Sequence, residues 1–197
     1  MGAPQLEGAS PPLKIRAFFG LPVPEAQRTK LAPFLAACAA SAPDFRWIPA
    51  SNLHLTLRFL GAIESSVAEG IAERLVELQP AGFELELGNI GTFNRRRLVR
   101  VVWLQVRSGA EHARELAAQV EEECARAGLA PEARVIQPHL TLARARPRDG
   151  AILPPLREPP RLKPWRAEEL ILYRSHVGRA GAVYEPIRQI GLRIRLS

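Results

Sequence analysis

Two of the four histidines open the same tetrapeptide, His54-Leu55-Thr56-Leu57 and His139-Leu140-Thr141-Leu142, 85 positions apart. An imidazole gives and takes protons near neutrality, its reference pKa being about 6.5. Two of them can divide acid–base work. The neutral one draws a proton from water while the protonated one delivers a proton to a departing oxygen, each worth about 10²- to 10⁴-fold. Displacement at a phosphodiester needs that pairing, because attack and departure occur in line while charge gathers on the non-bridging oxygens. Thr56 and Thr141 carry hydroxyls that can donate to those oxygens, and arginine forks can neutralise them.

In an extended chain successive side chains point to opposite faces, so each His shares a face with the Thr two places on. The opposite face of the first motif carries Leu53, Leu55, Leu57 and Phe59, and that of the second carries Leu140 and Leu142. Each imidazole is therefore expected on a strand anchored to a core. A single His-x-Thr on a strand is most often a core or capping histidine, but the matched context of the pair reverses that weighting. His112 and His176 have no repeated context and read as surface or structural residues. Two histidines without a spaced Cys pair or a third-ligand pattern make a poor zinc sphere, so neither metal nor other cofactor is expected.

The elements that hold these motifs follow from periodicity and punctuation. Residues 1–12 carry Gly, Pro and Ser with little apolar content and read as a disordered tail, leaving 13–197 as one domain. A strand is expected over Lys14–Leu21, then a helix over Pro24–Ala40 interrupted at Pro33. Leu53–Leu60 forms the first motif strand and Ser65–Leu78 a helix. Phe83–Leu87 and Leu98–Val106 pair as strands, with Arg95-Arg96-Arg97 between them as either a contact for a polyanion backbone or the solvated charge of a hairpin tip. Glu111–Arg126 is an amphipathic helix, Val135–Ala143 the second motif strand, and the proline-rich 145–166 an irregular connection before the final strands. Both halves run strand, helix, motif strand. An α+β pseudo-duplicate follows, with the two motif strands lining a shared cleft.

Charge and composition narrow the partners. A net charge of +7 rests on 24 Arg against three Lys, and arginine's planar fork suits phosphate. Apolar runs fall short of the ~20 residues that a membrane span needs, and no leader pattern opens the chain, so a cytoplasmic protein is expected. Cys38 and Cys124 are too few and too far apart for a disulfide framework and read as buried thiols.

Around the two tetrapeptides further residues complete a family pattern. They are Arg16-Ala17-Phe18-Phe19-Gly20-Leu21-Pro22, Arg46-Trp47-Ile48-Pro49, Asn52 through Gly61, and Pro138 through Arg144. In these the chain resembles the RNA 2',3'-cyclic phosphodiesterases, LigT-like proteins formerly called 2'-5' RNA ligases, of the two-histidine phosphoesterase superfamily. The resemblance implies a bilobal α+β fold with antiparallel sheets and two HxTx strands lining a central cleft. It implies opening of terminal 2',3'-cyclic phosphates on RNA to 2'-phosphates, with weak reverse 2'-5' ligation in some members; the residues themselves fit that step without a metal, and nothing in them demands more than a monomer. His54 would be the proton donor to the departing 3'-oxygen and His139 the base that activates water. Thr56 and Thr141 would hold the phosphate, and Arg144 matches the family's basic residue after the second motif.

Strict alternation treats the two candidate arginines differently. Arg58 has the parity of His54 and Thr56, so it is expected on their face as a phosphate contact. Arg144 has the wrong parity relative to His139 and reaches the cleft only if its strand ends or bulges near Ala143. The alternative reading is a basic, non-catalytic RNA-binding module, which predicts salt-sensitive binding without turnover.

Overall fold

In the computed structural model, which describes residues 13–133, 135–178 and 181–194, β1 (Lys14–Pro22) leads into α1 (Glu25–Ser41). β2 (Phe45–Trp47), a 3-10 turn at Ala50–Asn52 and the first motif strand β3 (His54–Glu64) follow. Next come α2 (Ser65–Leu78), the hairpin β4 (Phe83–Arg95) and β5 (Leu98–Ser108), α3 (Ala110–Arg126) and the second motif strand β6 (His139–Ala145). β7 (Trp165–Ala167), β8 (Glu169–Gly178) and β9 (Gly181–Gly191) complete the order. The expected tail, 1–12, lies outside the described residues.

The strands pair antiparallel in the order β7-β4-β5-β6-β3-β1-β8-β9, with β2 also pairing β6. That order is symmetric about the β6/β3 junction. β1, α1 and β3 on one side correspond to β5, α3 and β6 on the other, so the duplication read in the sequence is a repeated strand–helix–strand unit. The halves meet through adjacent strands, with Leu55 of β3 opposite Leu140 of β6.

Each helix turns a stripe of apolar residues onto one shared core. α1 contributes Leu31, Phe34, Leu35 and Cys38, α2 Ala68, Ile71 and Leu75, and α3 Leu116, Val120 and Cys124. Leu55, Leu57, Leu140 and Leu142 of the motif strands join the same core, leaving the other face of those strands to the site. A left-handed Gln79 (φ 48°) ends α2, and Gly128 (φ 82°) follows α3. Among the described residues no helix is long and apolar enough to cross a membrane.

Several boundaries differ from the sequence expectation: β3 runs on past Leu60 to Glu64 and β4 past Leu87 to Arg95, and α1 and β6 differ for local reasons. α1 runs through Pro33 because that residue lies on the exposed side, where water can take the carbonyl that loses its donor, while Leu31, Phe34 and Leu35 anchor the helix on both sides. β6 begins at His139, not Val135: Pro138 has no N–H to give a ladder, and Val135 is fully exposed. Cys38 and Cys124 are buried free thiols, and burial pushes Cys124 up to about 11.

Leu140 is fully buried at the junction on which both halves depend. Leu140→Ala is expected to cost about 2–5 kcal/mol of unfolding free energy, measured by urea titration.

Candidate active site

Extending the Leu55–Leu140 register by one residue each way sets His54 across from Thr141 and Thr56 across from His139. All four side chains are half-buried on the face away from the helices. Two imidazoles and two hydroxyls thus form a pseudo-twofold set on one face, near enough for the charge of His139 to act on His54.

The same backbone device orients both rings. Nδ1 of His54 lies 2.8 Å from the Asn52 carbonyl oxygen and Nδ1 of His139 lies 2.6 Å from that of Gln137. A carbonyl only accepts, so Nδ1 carries the proton and donates it in each case. Nε2 is left as the working atom of both rings, a lone pair when the ring is neutral and a donor when it is protonated.

Aromatic rings wall each imidazole. His54 packs on Phe18 at 4.7 Å and against the edge of Tyr184 at 4.8 Å. His139 meets Phe93 edge-on at 5.0 Å and Trp103 at 5.8 Å. Phe18 is almost wholly buried yet stands on the site face, whereas Phe19 belongs to the helix-side core. Two glycines make room. A Cβ on Gly20 would approach Cδ2 of His54 at 3.4 Å and the Leu55 carbonyl at 3.0 Å, and one on Gly91 would meet the Trp103 ring at 2.4 Å.

Burial holds both histidines below their ordinary range. For His54 it overcomes the bond to Asn52 and, with the positive charges of Arg144 and His139, lowers the pKa to about 4. His139 is lowered by burial first and by Arg144 second. Both rings are accordingly neutral in the ligand-free protein at pH 7.

Neither arginine lies where strict alternation puts it, and one distortion explains both. β3 advances from Thr56 to Arg58 while its neighbour β1 moves only from Gly20 to Phe19, so Leu57 is an extra, bulged residue. β6 advances from Thr141 to Ala143 while β5 moves only from Trp103 to Val102, so Leu142 is bulged in the same way. Each bulge follows the Thr of its motif and inverts the alternation beyond it. Arg58 is therefore turned to the helix side, where it is 8% exposed. It pairs with Glu121 and Glu132 and donates to the carbonyls of Phe59 at 2.7 Å and Ala130 at 2.6 Å. The expectation that it shares a face with His54 and Thr56 is thus corrected.

Arg144 is carried by its bulge to the face of His139 and Thr141, close enough for its charge to act on both imidazoles and on Tyr184. The corresponding residue of the first motif is Phe59, 53% exposed with its ring 5.7 Å from Phe18. Sequence alternation put Phe59 in the core; the signal that finds it is its matching offset, five residues after the motif His, as Arg144 is.

The remaining candidates lie apart. Arg95 is paired with Asp149 at 2.6 Å, and Arg96 and Arg97 turn the exposed tip of the β4–β5 hairpin. His112 stacks on Phe83, and His176 pairs with Glu185 across the β8–β9 hairpin. Among the described residues no group of three His, Cys, Asp or Glu side chains gathers to hold a metal.

An NMR titration of the imidazole resonances is expected to show His54 titrating at about 4 and His139 below the ordinary histidine range. Arg144→Gln removes a cation that opposes protonation and should raise both; Arg58→Gln should raise neither, and should instead destabilise the fold by about 1.5–3 kcal/mol through its lost charged hydrogen bonds.

A model of the 2'-5' RNA ligase superfamily matches residues 24–179. An RNA 2',3'-cyclic phosphodiesterase of Aeropyrum pernix is 41% identical over 47% of this chain and 53% of its own length. The Escherichia coli protein of the same name is 31% identical over 75% of this chain and 80% of its own. The match spans about half the length of the first relatives, 53% of the Aeropyrum pernix protein and 52% of one from Geobacillus stearothermophilus. Among solved structures, E. coli LigT complexed with 3'-AMP is similar with a TM-score of 0.76 at 27% identity, over 91% of this chain and 99% of that one.

Proposed function

Because this chain belongs to the 2'-5' RNA ligase superfamily, we propose that it hydrolyses RNA 2',3'-cyclic phosphate ends to 2'-phosphates, with His54 and His139 as an acid–base pair and without a metal. The observation that carries the reading is the common setting of the two imidazoles. Each is fixed through Nδ1 on a backbone carbonyl, each leaves Nε2 without a hydrogen-bond partner among the described residues, and the Arg144 charge bears on both. Relatives named RNA 2',3'-cyclic phosphodiesterase support the choice of substrate.

In the proposed reaction His139 Nε2 takes a proton from a water in line with the P–O3' bond. The water oxygen bonds to phosphorus, the P–O3' bond breaks, and the electron pair left on O3' takes the proton from His54 Nε2. Thr56 and Thr141 donate to the non-bridging oxygens, and Arg144 neutralises their charge. A 5'-hydroxyl in place of water would form a 2'-5' link by the same steps, the weak ligation expected of such a site. Phe59, exposed beside Phe18, offers a ring face on which a base can stack. A monomer is the proposed working form, since both imidazoles and the groups that orient them come from one chain.

An acid with a pKa of about 4 would be empty at neutral pH, so His54 needs help. The substrate supplies it. A phosphate anion about 4 Å away at an effective dielectric near 20 favours the imidazolium by about 4 kcal/mol. Since about 1.4 kcal/mol moves a pKa by one, that attraction returns His54 to near neutrality. Desolvation keeps the ring neutral until an anion arrives, and the anion then charges it.

The test is turnover of an oligonucleotide 2',3'-cyclic phosphate in excess EDTA, followed by phosphorus NMR. A 2'-phosphate product is expected, with kcat lowered about 10²- to 10⁴-fold by His54→Ala or His139→Ala. Full activity in both variants, or loss of activity in EDTA, contradicts the proposal.

A further inference from the structure

Beside His54 the site face opens into a concavity of about 400 Å³ whose wall includes Arg46, Trp47, Asn52, Arg144, Arg146 and Tyr184. Arg46 and Arg144 are direct cross-strand partners on β2 and β6. Like charges so placed destabilise a strand pair. Among the described residues Arg46, Arg144 and Arg146 are with the arginines that enter no ion pair, and the wall of this concavity holds no carboxylate. An uncompensated like-charge pair in a pocket without a carboxylate is a site built for an anion.

The pocket offers more than charge. Trp47 is pinned by donation from Nε1 to the Ala42 carbonyl at 3.2 Å, and Arg146 by donation from Nε to the Pro43 carbonyl at 3.0 Å. Held in this way, an indole and a guanidinium line the pocket as surfaces on which a base can stack. Tyr184, which leans on His54, also borders a second concavity of about 740 Å³. That one sets Glu25, Glu168 and Glu169 against Arg28 and Arg166, with Arg28 already paired to Glu25, so its carboxylates outnumber its cations. Electrostatics therefore directs a phosphodiester chain to the arginine side.

Building on the cyclic-phosphodiesterase reading, we propose that the Arg46–Trp47–Arg146 pocket is a second phosphate-and-base subsite, which receives the nucleotide adjoining the one that reacts. Its preferred ligand is an RNA chain, not a mononucleotide. Arg144 stands at the border, serving the reacting phosphate, while Arg46 and Arg146 serve the next one.

Calorimetric titration of wild type, Arg46→Gln and Arg146→Gln with a ribodinucleotide 3'-phosphate and with a ribonucleoside 3'-phosphate tests this. Wild type is expected to bind the dinucleotide about tenfold more tightly, the scale of one phosphate contact of about 1.4 kcal/mol. Each variant should lose most of that advantage and keep its affinity for the mononucleotide. Arg46→Gln should also raise the thermal midpoint, because the like-charge pair is gone. Equal affinity of wild type for the two ligands, or variants that weaken both alike, overturns the subsite. Turnover of the matching 2',3'-cyclic forms is followed in parallel. If neither is hydrolysed while the dinucleotide advantage holds, the cyclic-phosphodiesterase reading fails and the subsite stands.

Discussion

Leu55 lies opposite Leu140 where the two motif strands meet, both fully buried, and the geometry of the site is set by that pair. A slip of one residue in either strand would turn an imidazole and a hydroxyl into the core and bring leucines to the surface. The hydrophobic effect thus fixes where the polar groups stand. Each leucine buried on the helix side holds its neighbours His and Thr on the other, and the bulge after each motif resets the alternation for the residues beyond. Chemistry on one face rests on packing on the other.

Electrostatics gives the arrangement its direction. Aromatic walls and burial keep both imidazoles neutral, and Arg144 reinforces this while it remains uncompensated. An anion between the rings reverses the balance, because it attracts the imidazolium and offsets the arginine at once. In the proposed reaction the site becomes acidic only when occupied. Arg58 serves the other side of the sheet. Its contacts with Glu121, Glu132 and Ala130 tie β3 to α3 and to the chain approaching the second motif, so it supports the fold by which His139 is held.

Much of this was legible in the residues. The repeated tetrapeptide led to two strands, a shared face for His and Thr, and a pseudo-duplicate, because a period of two and buried leucines are local properties. Arg58 and Arg144 were misplaced by strict alternation because a bulge depends on the neighbouring strand: nothing in Leu57 or Leu142 by itself says that it will be skipped in the ladder. Phe59 was lost to the core for the same reason. Its signal in the sequence is its offset from His54, which equals that of Arg144 from His139. The unbroken α1 depended on which side of the helix Pro33 would face, and the late start of β6 on the donor that Pro138 lacks, where apolar Val135 and Ile136 suggested a strand.

In the proposed function the two imidazoles await an anion, and its arrival protonates one of them. Sulfate does not titrate near neutrality, so its binding at pH 6.5, measured calorimetrically in buffers of different ionisation enthalpy, counts the protons taken up by the protein alone. Uptake of about one proton per bound sulfate is expected, lost when His54 and His139 are both replaced by alanine. Sulfate bound without proton uptake, or uptake that persists in the double variant, would contradict it.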